Sequence, residues 1–223
     1  MCKFSLFILL RGGIQMKRII AVQHCQAVHH VNKMVGGVTD WELTELGLEQ
    51  ANNIGIALKG KIGINADYKI YSSDLIRTRQ TADIIAKHLN ITPIYRQELR
   101  EINLGSATGK SQEWFKVNQI PRPKALPWLY HKVMFDAESA EEVYYRVSKL
   151  AEEIENSYDE NIIIVGHGGS LSIFTARWLK LPVSILENTA LLGSAGGVSF
   201  MSERDDNARV LNVWNDTSYI LTK

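Results

Sequence analysis

The stretch Ile19-Ile20-Ala21-Val22-Gln23-His24-Cys25-Gln26 does most to constrain the fold of this chain. A short apolar run predicts a buried strand, and the run stops abruptly in a polar turn that carries His24. A second run of the same kind, Ile162-Ile163-Ile164-Val165, leads into Gly166-His167-Gly168-Gly169. Open α/β sheets bind ligands at the carboxyl ends of their strands, so both histidines fall where chemistry is usually done. A single histidine in such a place is more often structural. Two of them, each beside small residues, point to one shared pocket.

Between these runs the chain alternates. Thr44 is placed to cap a helix with Ala51, Ile54 and Leu58 along its apolar side. Residues 68–71 predict a short strand closed by Ser72-Ser73. Ser73 is expected to cap the next helix, on which Leu75, Ala82, Ile85 and Leu89 recur at helical spacing. Residues 93–96 predict another strand. Ser139-Ala140-Glu141-Glu142 is a capping box opening a helix with Val143, Val147, Leu150 and Ile154 on one side. A helix over 170–179 follows the second apolar run, and strands over 197–201 and 210–215 close the chain. The expected fold class is therefore α/β: a three-layer sandwich with a mainly parallel central sheet and helices on both faces.

Residues 102–137 differ. Gly105, Gly109, Pro121, Pro123 and Pro127 interrupt regular structure, and Trp114, Phe115, Trp128 and Tyr130 are spread among them. A long loop in a compact domain is usually a binding element, so this segment is expected to be an inserted lid whose aromatics wall a pocket. At 223 residues the chain suits one domain, placed at 16–223. Residues 1–15 hold an apolar run over 4–10, far short of the ~20 residues needed to span a bilayer. They are expected to be an upstream extension outside the fold.

A formal charge of +1 gives no argument for nucleic acid or a membrane surface as partner. Two cysteines, Cys2 and Cys25, form no disulfide framework, which suggests a reducing cytoplasm. The sequence permits a homodimer without requiring one.

Four pieces carry chemistry. His24 follows the first strand. Ser73-Asp74-Leu75-Ile76-Arg77 places Arg77 in the first turn of a helix, where a guanidinium and oriented amides together favour a phosphate. Glu101, in Leu99-Arg100-Glu101, lies just before the lid, and His167 follows the late strand. A nucleophilic imidazole, a guanidinium, a second imidazole and one acid are the parts that phosphoryl transfer through a phosphohistidine requires.

With these motifs and Thr39-Asp40, Leu43-Thr44-Glu45-Leu46-Gly47, Glu138-Ser139 with Arg146, Gly166-His167-Gly168 and Asn215-Asp216-Thr217, the chain resembles the histidine phosphatase superfamily. That group includes the cofactor-dependent phosphoglycerate mutases and many small phosphatases. The resemblance runs from about residue 16 to the carboxyl terminus. It implies that His24 takes the phosphoryl group, that Arg77 and His167 hold phosphate oxygens, and that Glu101 protonates the leaving oxygen. It implies a small phosphate ester as substrate and no cofactor. The readings left open beside a phosphatase are a non-catalytic phosphate-ester binder and a mutase-type phosphotransferase. The short lid favours hydrolysis.

The chain departs from the family at the centre. The family pattern Arg-His-Gly-Glu-Thr-x-x-Asn here reads Gln23-His24-Cys25-Gln26-Ala27-Val28-His29-His30. Gln23 keeps N–H donors but loses a charge; losing one donor from a preorganised anion site typically costs on the order of 10²–10³ in rate. Gln23, His30 and Gly168 are the expected substrate-binding residues. His30, when protonated, is expected to restore part of the missing charge. A zinc site on His24, Cys25, His29 and His30 is set aside, since neither paired cysteines nor helical histidines at i, i+4 are present and adjacent side chains diverge. Cys25 is read as a small buried residue rather than a reactive thiol.

Overall fold

The structure is a computed structural model in which residues 16–64 and 67–221 are described. The expectations for residues 1–15 lie outside these. Six strands, β1 (Arg18–Gln23), β2 (Lys69–Ser72), β3 (Pro93–Tyr95), β4 (Asn161–Gly166), β5 (Val198–Glu203) and β6 (Arg209–Asp216), form one sheet in the order β3-β2-β4-β1-β5-β6. The first four in that order run parallel; β5 is antiparallel to β1 and β6 to β5. Six α-helices accompany them: α1 (Val28–Val31), α2 (Glu45–Ile62), α3 (Ile76–Leu89), α4 (Gln112–Asn118), α5 (Ala140–Asn156) and α6 (Gly168–Trp178).

Alternation along the central strands builds both cores at once. Ile19, Ala21, Ile162 and Ile164 pack with Val143, Val147 and Leu150 of α5 and Ile173 and Phe174 of α6. Ile20, Val22, Ile163 and Val165 project to the other face, against Ala51, Ile54 and Leu58 of α2 and Ala82 and Ile85 of α3. A strand buried on both sides has no use for polar alternation, which is why its sequence reads as one apolar run. Truncating a central residue such as Ile164 to Ala should cost about 2–5 kcal/mol, because the cavity cannot drain to solvent. The three-layer α/β expectation therefore holds.

The helix starts follow local chemistry in two cases. Thr44 Oγ1 accepts from the Gly47 amide at 3.0 Å, and Ser139 with Glu142 forms a reciprocal capping box on α5. The start of α3 differs from expectation. Ser73 is not its cap; the Ile76 amide donates to Asp40 Oδ1 at 2.9 Å instead, and Ser73 is turned toward β4. The inserted segment is also more regular than expected. It contains α4, capped by Ser111 Oγ at the Trp114 amide, and short 3₁₀ turns over Gly105–Ala107 and Trp128–Tyr130.

Candidate active site

Three parallel neighbours end abreast. Gln23 of β1 pairs with Gly166 of β4, and Ser72 of β2 pairs with Val165 of β4. The next residue on each strand continues the ladder: the His24 amide donates to Gly166 and the Ser73 amide to Val165, both at 3.0 Å. His24, His167 and Ser73 thus stand side by side at the carboxyl edge. The His24 and His167 rings meet edge-on with centroids 5.1 Å apart, and His167 Nε2 lies 2.9 Å from Ser73 Oγ.

His24 is buried, and its Nδ1 lies 2.8 Å from the Cys25 carbonyl oxygen. A carbonyl only accepts, so that nitrogen carries the proton and Nε2 keeps its lone pair. Burial, reinforced by the neighbouring Arg77 guanidinium, holds the His24 pKa well below the ordinary histidine value. The ring is neutral, and the residue lines a cleft of about 730 Å³. That is the state a phosphoryl acceptor needs.

Arg77, in the first turn of α3, donates from Nε to His24 Nε2 at 3.3 Å. Its two terminal nitrogens donate to the Thr39 and Gly37 carbonyls at 2.6 and 2.7 Å. Burial draws its pKa down to about 10, partly countered by Glu101 and Asp40, so the guanidinium stays charged at neutral pH. A fixed cation beside the nucleophile is suited to a phosphate dianion.

Glu101 lines the same cleft. Its Oε1 accepts from the Ile102 and Ser170 amides at 2.8 and 3.2 Å, and Oε2 from Gly169 at 3.1 Å. Two of those amides are the unpaired first-turn donors of α6, so this side chain also caps that helix. A Cβ on Gly169 would stand 2.5 Å from Oε1, so glycine is what lets the amide reach the carboxylate. Arg146 of α5 secures the segment behind it, donating to the Glu98, Arg100 and Glu101 carbonyls at 2.8, 2.8 and 3.0 Å and pairing with Glu138. His167, in contrast, is wholly buried beside His24 and is not among the residues lining the cleft; its Nδ1 has no hydrogen-bond partner among the described residues.

Gln23 and Gly168 both line the cleft and lie against each other, a Cβ on Gly168 reaching the Gln23 amide at 3.6 Å. His30 is exposed and stacks on His24 at 5.4 Å, with planes 8° apart. Its Nδ1 accepts from the Ala27 amide at 3.1 Å, which puts the ring proton of the neutral form on Nε2. Burial and Arg77 lower its pKa in the free protein; the expected protonation of His30 concerns the site with a phosphate dianion bound. In the free protein His30 offers a neutral N–H donor, much as the asparagine of the family pattern does. The cations that sequence reasoning missed are Lys33 and Lys116, exposed at the mouth of the cleft. Lys33 sits in a left-handed conformation with φ of 54° just after α1, and no sequence signal marks it.

Two further expectations change. Of the lid aromatics, none lines this cleft; the lid contributes Leu104, Gln112 and Lys116, while Trp128 walls a neighbouring pocket with Leu186 and Leu192. The side chains of His29 and His30 converge, with ring centroids 4.0 Å apart, because α1 turns both toward His24. The geometric ground for setting a metal aside is removed. Cys25 behaves as expected: fully buried, its thiol is pushed up to about 12 by desolvation.

Two imidazoles thus meet edge-on at parallel strand ends, with a buried guanidinium donating to Nε2 of the first. The model of the histidine phosphatase superfamily (branch 1) matches residues 19–217, and the chain belongs to that superfamily. A broad-specificity phosphatase of Saccharomyces cerevisiae is 30% identical over 172 residues, covering 73% of this chain and 70% of its own length. The glucosyl-3-phosphoglycerate phosphatase of Mycobacterium tuberculosis is 26% identical over 226 residues, covering 92% of this chain and 96% of its own. The solved mycobacterial enzyme with inorganic phosphate superposes with a TM-score of 0.73 at 26% identity, over 92% of this chain and 100% of that one.

Proposed function

We propose that this protein is a phosphomonoesterase that hydrolyses a small organic phosphate through a phosphohistidine at His24. The observation that carries the reading is the His24 tautomer: Nδ1 is committed to the Cys25 carbonyl, which leaves Nε2 unprotonated and accepting from Arg77 Nε. Phosphatase names among the relatives support it.

In the first step His24 Nε2 attacks phosphorus and the bond to the ester oxygen breaks. Arg77 balances charge on the phosphoryl oxygens, and Gln23, His30 and the Gly168 backbone supply neutral contacts around them. The departing oxygen takes a proton from Glu101, whose protonated form gives up one of its amide donors. In the second step water attacks the phosphohistidine and Glu101 takes the water proton. Inorganic phosphate leaves and neutral His24 returns. His167 acts from the side, its ring packed edge-on against His24.

Among the described residues no helix is long and apolar enough to cross a membrane. Cytoplasmic residence is part of the same proposal, supported by a free buried thiol at Cys25.

Rapid quenching with a radiolabelled ester tests the reading. Acid-labile, base-stable label should accumulate on the wild type and vanish in His24→Ala together with turnover. Label that survives that substitution would overturn the assignment.

A further inference from the structure

We propose that His24, His29 and His30 form a binding site for a borderline transition-metal cation, Zn²⁺ foremost, and that metal held there blocks phosphoryl transfer by occupying His24 Nε2. The first half stands on geometry alone. The second rests on the phosphatase reading above.

One ring nitrogen from each of the three histidines lies within 4.8 Å of the other two. Tetrahedral zinc holds its nitrogen ligands about 3.3 Å apart, so the widest pair must close by roughly 1.5 Å. The exposed His30 ring has room to make that movement. His24 already presents the unprotonated nitrogen a metal requires, since its other nitrogen is bonded to the Cys25 carbonyl.

A second observation singles out His29. Its ring is buried against Gly36, where an added Cβ would meet Nε2 at 2.9 Å, and its Nδ1 has no hydrogen-bond partner among the described residues. Buried polar nitrogens are normally satisfied, and an orphan on the wall of a cleft marks a place for a ligand. Imidazole nitrogens suit Zn²⁺, Cu²⁺ and Ni²⁺ rather than Mg²⁺ or Ca²⁺.

Two features shape what binds. His30 Nδ1 accepts from the Ala27 amide, so ligation through either of its nitrogens gives up that one hydrogen bond. Arg77 Nε stands 3.3 Å from His24 Nε2 and repels a bare dication. Metal therefore enters best with an anion in its open position, and the cleft is built to hold phosphate there. Cys25 takes no part, its sulfur being sealed in the core. Metal and phosphoryl group compete for one lone pair on His24 Nε2, so each excludes the other.

Co²⁺ titrated into the metal-free full-length protein tests the site directly. Visible absorption of four-coordinate Co²⁺ should saturate at one equivalent, be displaced by Zn²⁺, and tighten when inorganic phosphate is added. His29→Phe, which keeps the ring volume, and His30→Asn should each weaken Co²⁺ binding roughly 100-fold, with unchanged circular dichroism. Absence of the absorption band with Co²⁺ in large excess, or wild-type affinity in both variants, would overturn the site. Zn²⁺ should inhibit ester hydrolysis in proportion to occupancy and a chelator should reverse it; full turnover at saturating Zn²⁺ would overturn the block. A wild type that hydrolyses no ester would defeat the phosphatase reading, and the Co²⁺ titration would still decide the site.

Discussion

Arg77 donates through Nε to His24 Nε2, the nitrogen proposed to receive the phosphoryl group, at 3.3 Å. In that proposal one cation serves both the nucleophile and the phosphate. Its other nitrogens hold the carbonyls of Gly37 and Thr39, so the loop over 37–40 and the nucleophile are registered by a single side chain. Arg77→Lys keeps the charge but loses the planar fork. We expect kcat/KM for a simple aryl phosphate to fall on the order of 10²–10³, the typical cost of one preorganised donor. Steady-state kinetics on a folded variant checks this, and a loss below threefold would show that charge alone suffices.

Glu101 should matter in proportion to how badly the leaving group needs a proton. For Glu101→Gln we expect an alkyl phosphate to lose on the order of 10²–10³ in kcat, with less than about 10-fold lost for a nitrophenyl phosphate. Equal losses on both would remove the acid role. They would leave Glu101 as the cap of α6 alone.

The missing arginine is testable by restoring it. Gln23 lies beside Gly168 at the start of α6, on the wall of the cleft. We expect Gln23→Arg to raise kcat/KM on the order of 10-fold by adding a full charge next to the phosphoryl oxygens. A drop instead would mean that the pocket has been rebuilt around glutamine for another ligand. Comparing both proteins on a panel of phosphorylated metabolites separates the two outcomes.

Asp74 ties the start of α3 to the segment carrying Glu101 through a two-point ion pair with Arg100, at 2.7 and 2.6 Å. That contact holds the Asp74 pKa below its ordinary value. A depressed carboxylate stabilises the fold above its unfolded pKa, and the contribution fades as pH falls through the folded one. Asp74→Asn should therefore cost about 1 kcal/mol at pH 7 in urea unfolding. The difference between the two proteins should shrink below about pH 4. A gap that stays constant down to pH 2 would show that the pair contributes no titrating stability.

Local patterns were legible and distant ones were not. The apolar runs of β1 and β4, the Thr44 cap and the Ser139 capping box are read within a few residues, and the structure keeps them. His24, Arg77, Glu101 and His167 could be singled out because each sits next to such a pattern; the structure puts the first three on the lining of one cleft and buries His167 beside His24. The cap that Asp40 supplies to α3 crosses 36 residues, so no window on Ser73 could reveal it. The four residues of α1 are too few to show a helical period, and the convergence of His29 with His30 was lost with them. For α4 the signal was present in Ser111 ahead of Trp114, masked by the nearby Gly109 and Pro121.

The place of β4 between β2 and β1 bears on the chain during its synthesis. β1 and β2 emerge early, yet neither finds its native neighbour on that side until residues 161–166 arrive and slide between them. A nascent chain stopped before Asn161 lacks native partners on both edges of β1 and on one edge of β2, each able to recruit a stranger. It also lacks the pairing of His24 with His167, which only the arrival of β4 brings about. Ribosome-bound chains ending at Glu160 should thus lean on chaperones and bind no phosphate, and competence should arrive in one step once α6 has cleared the exit tunnel.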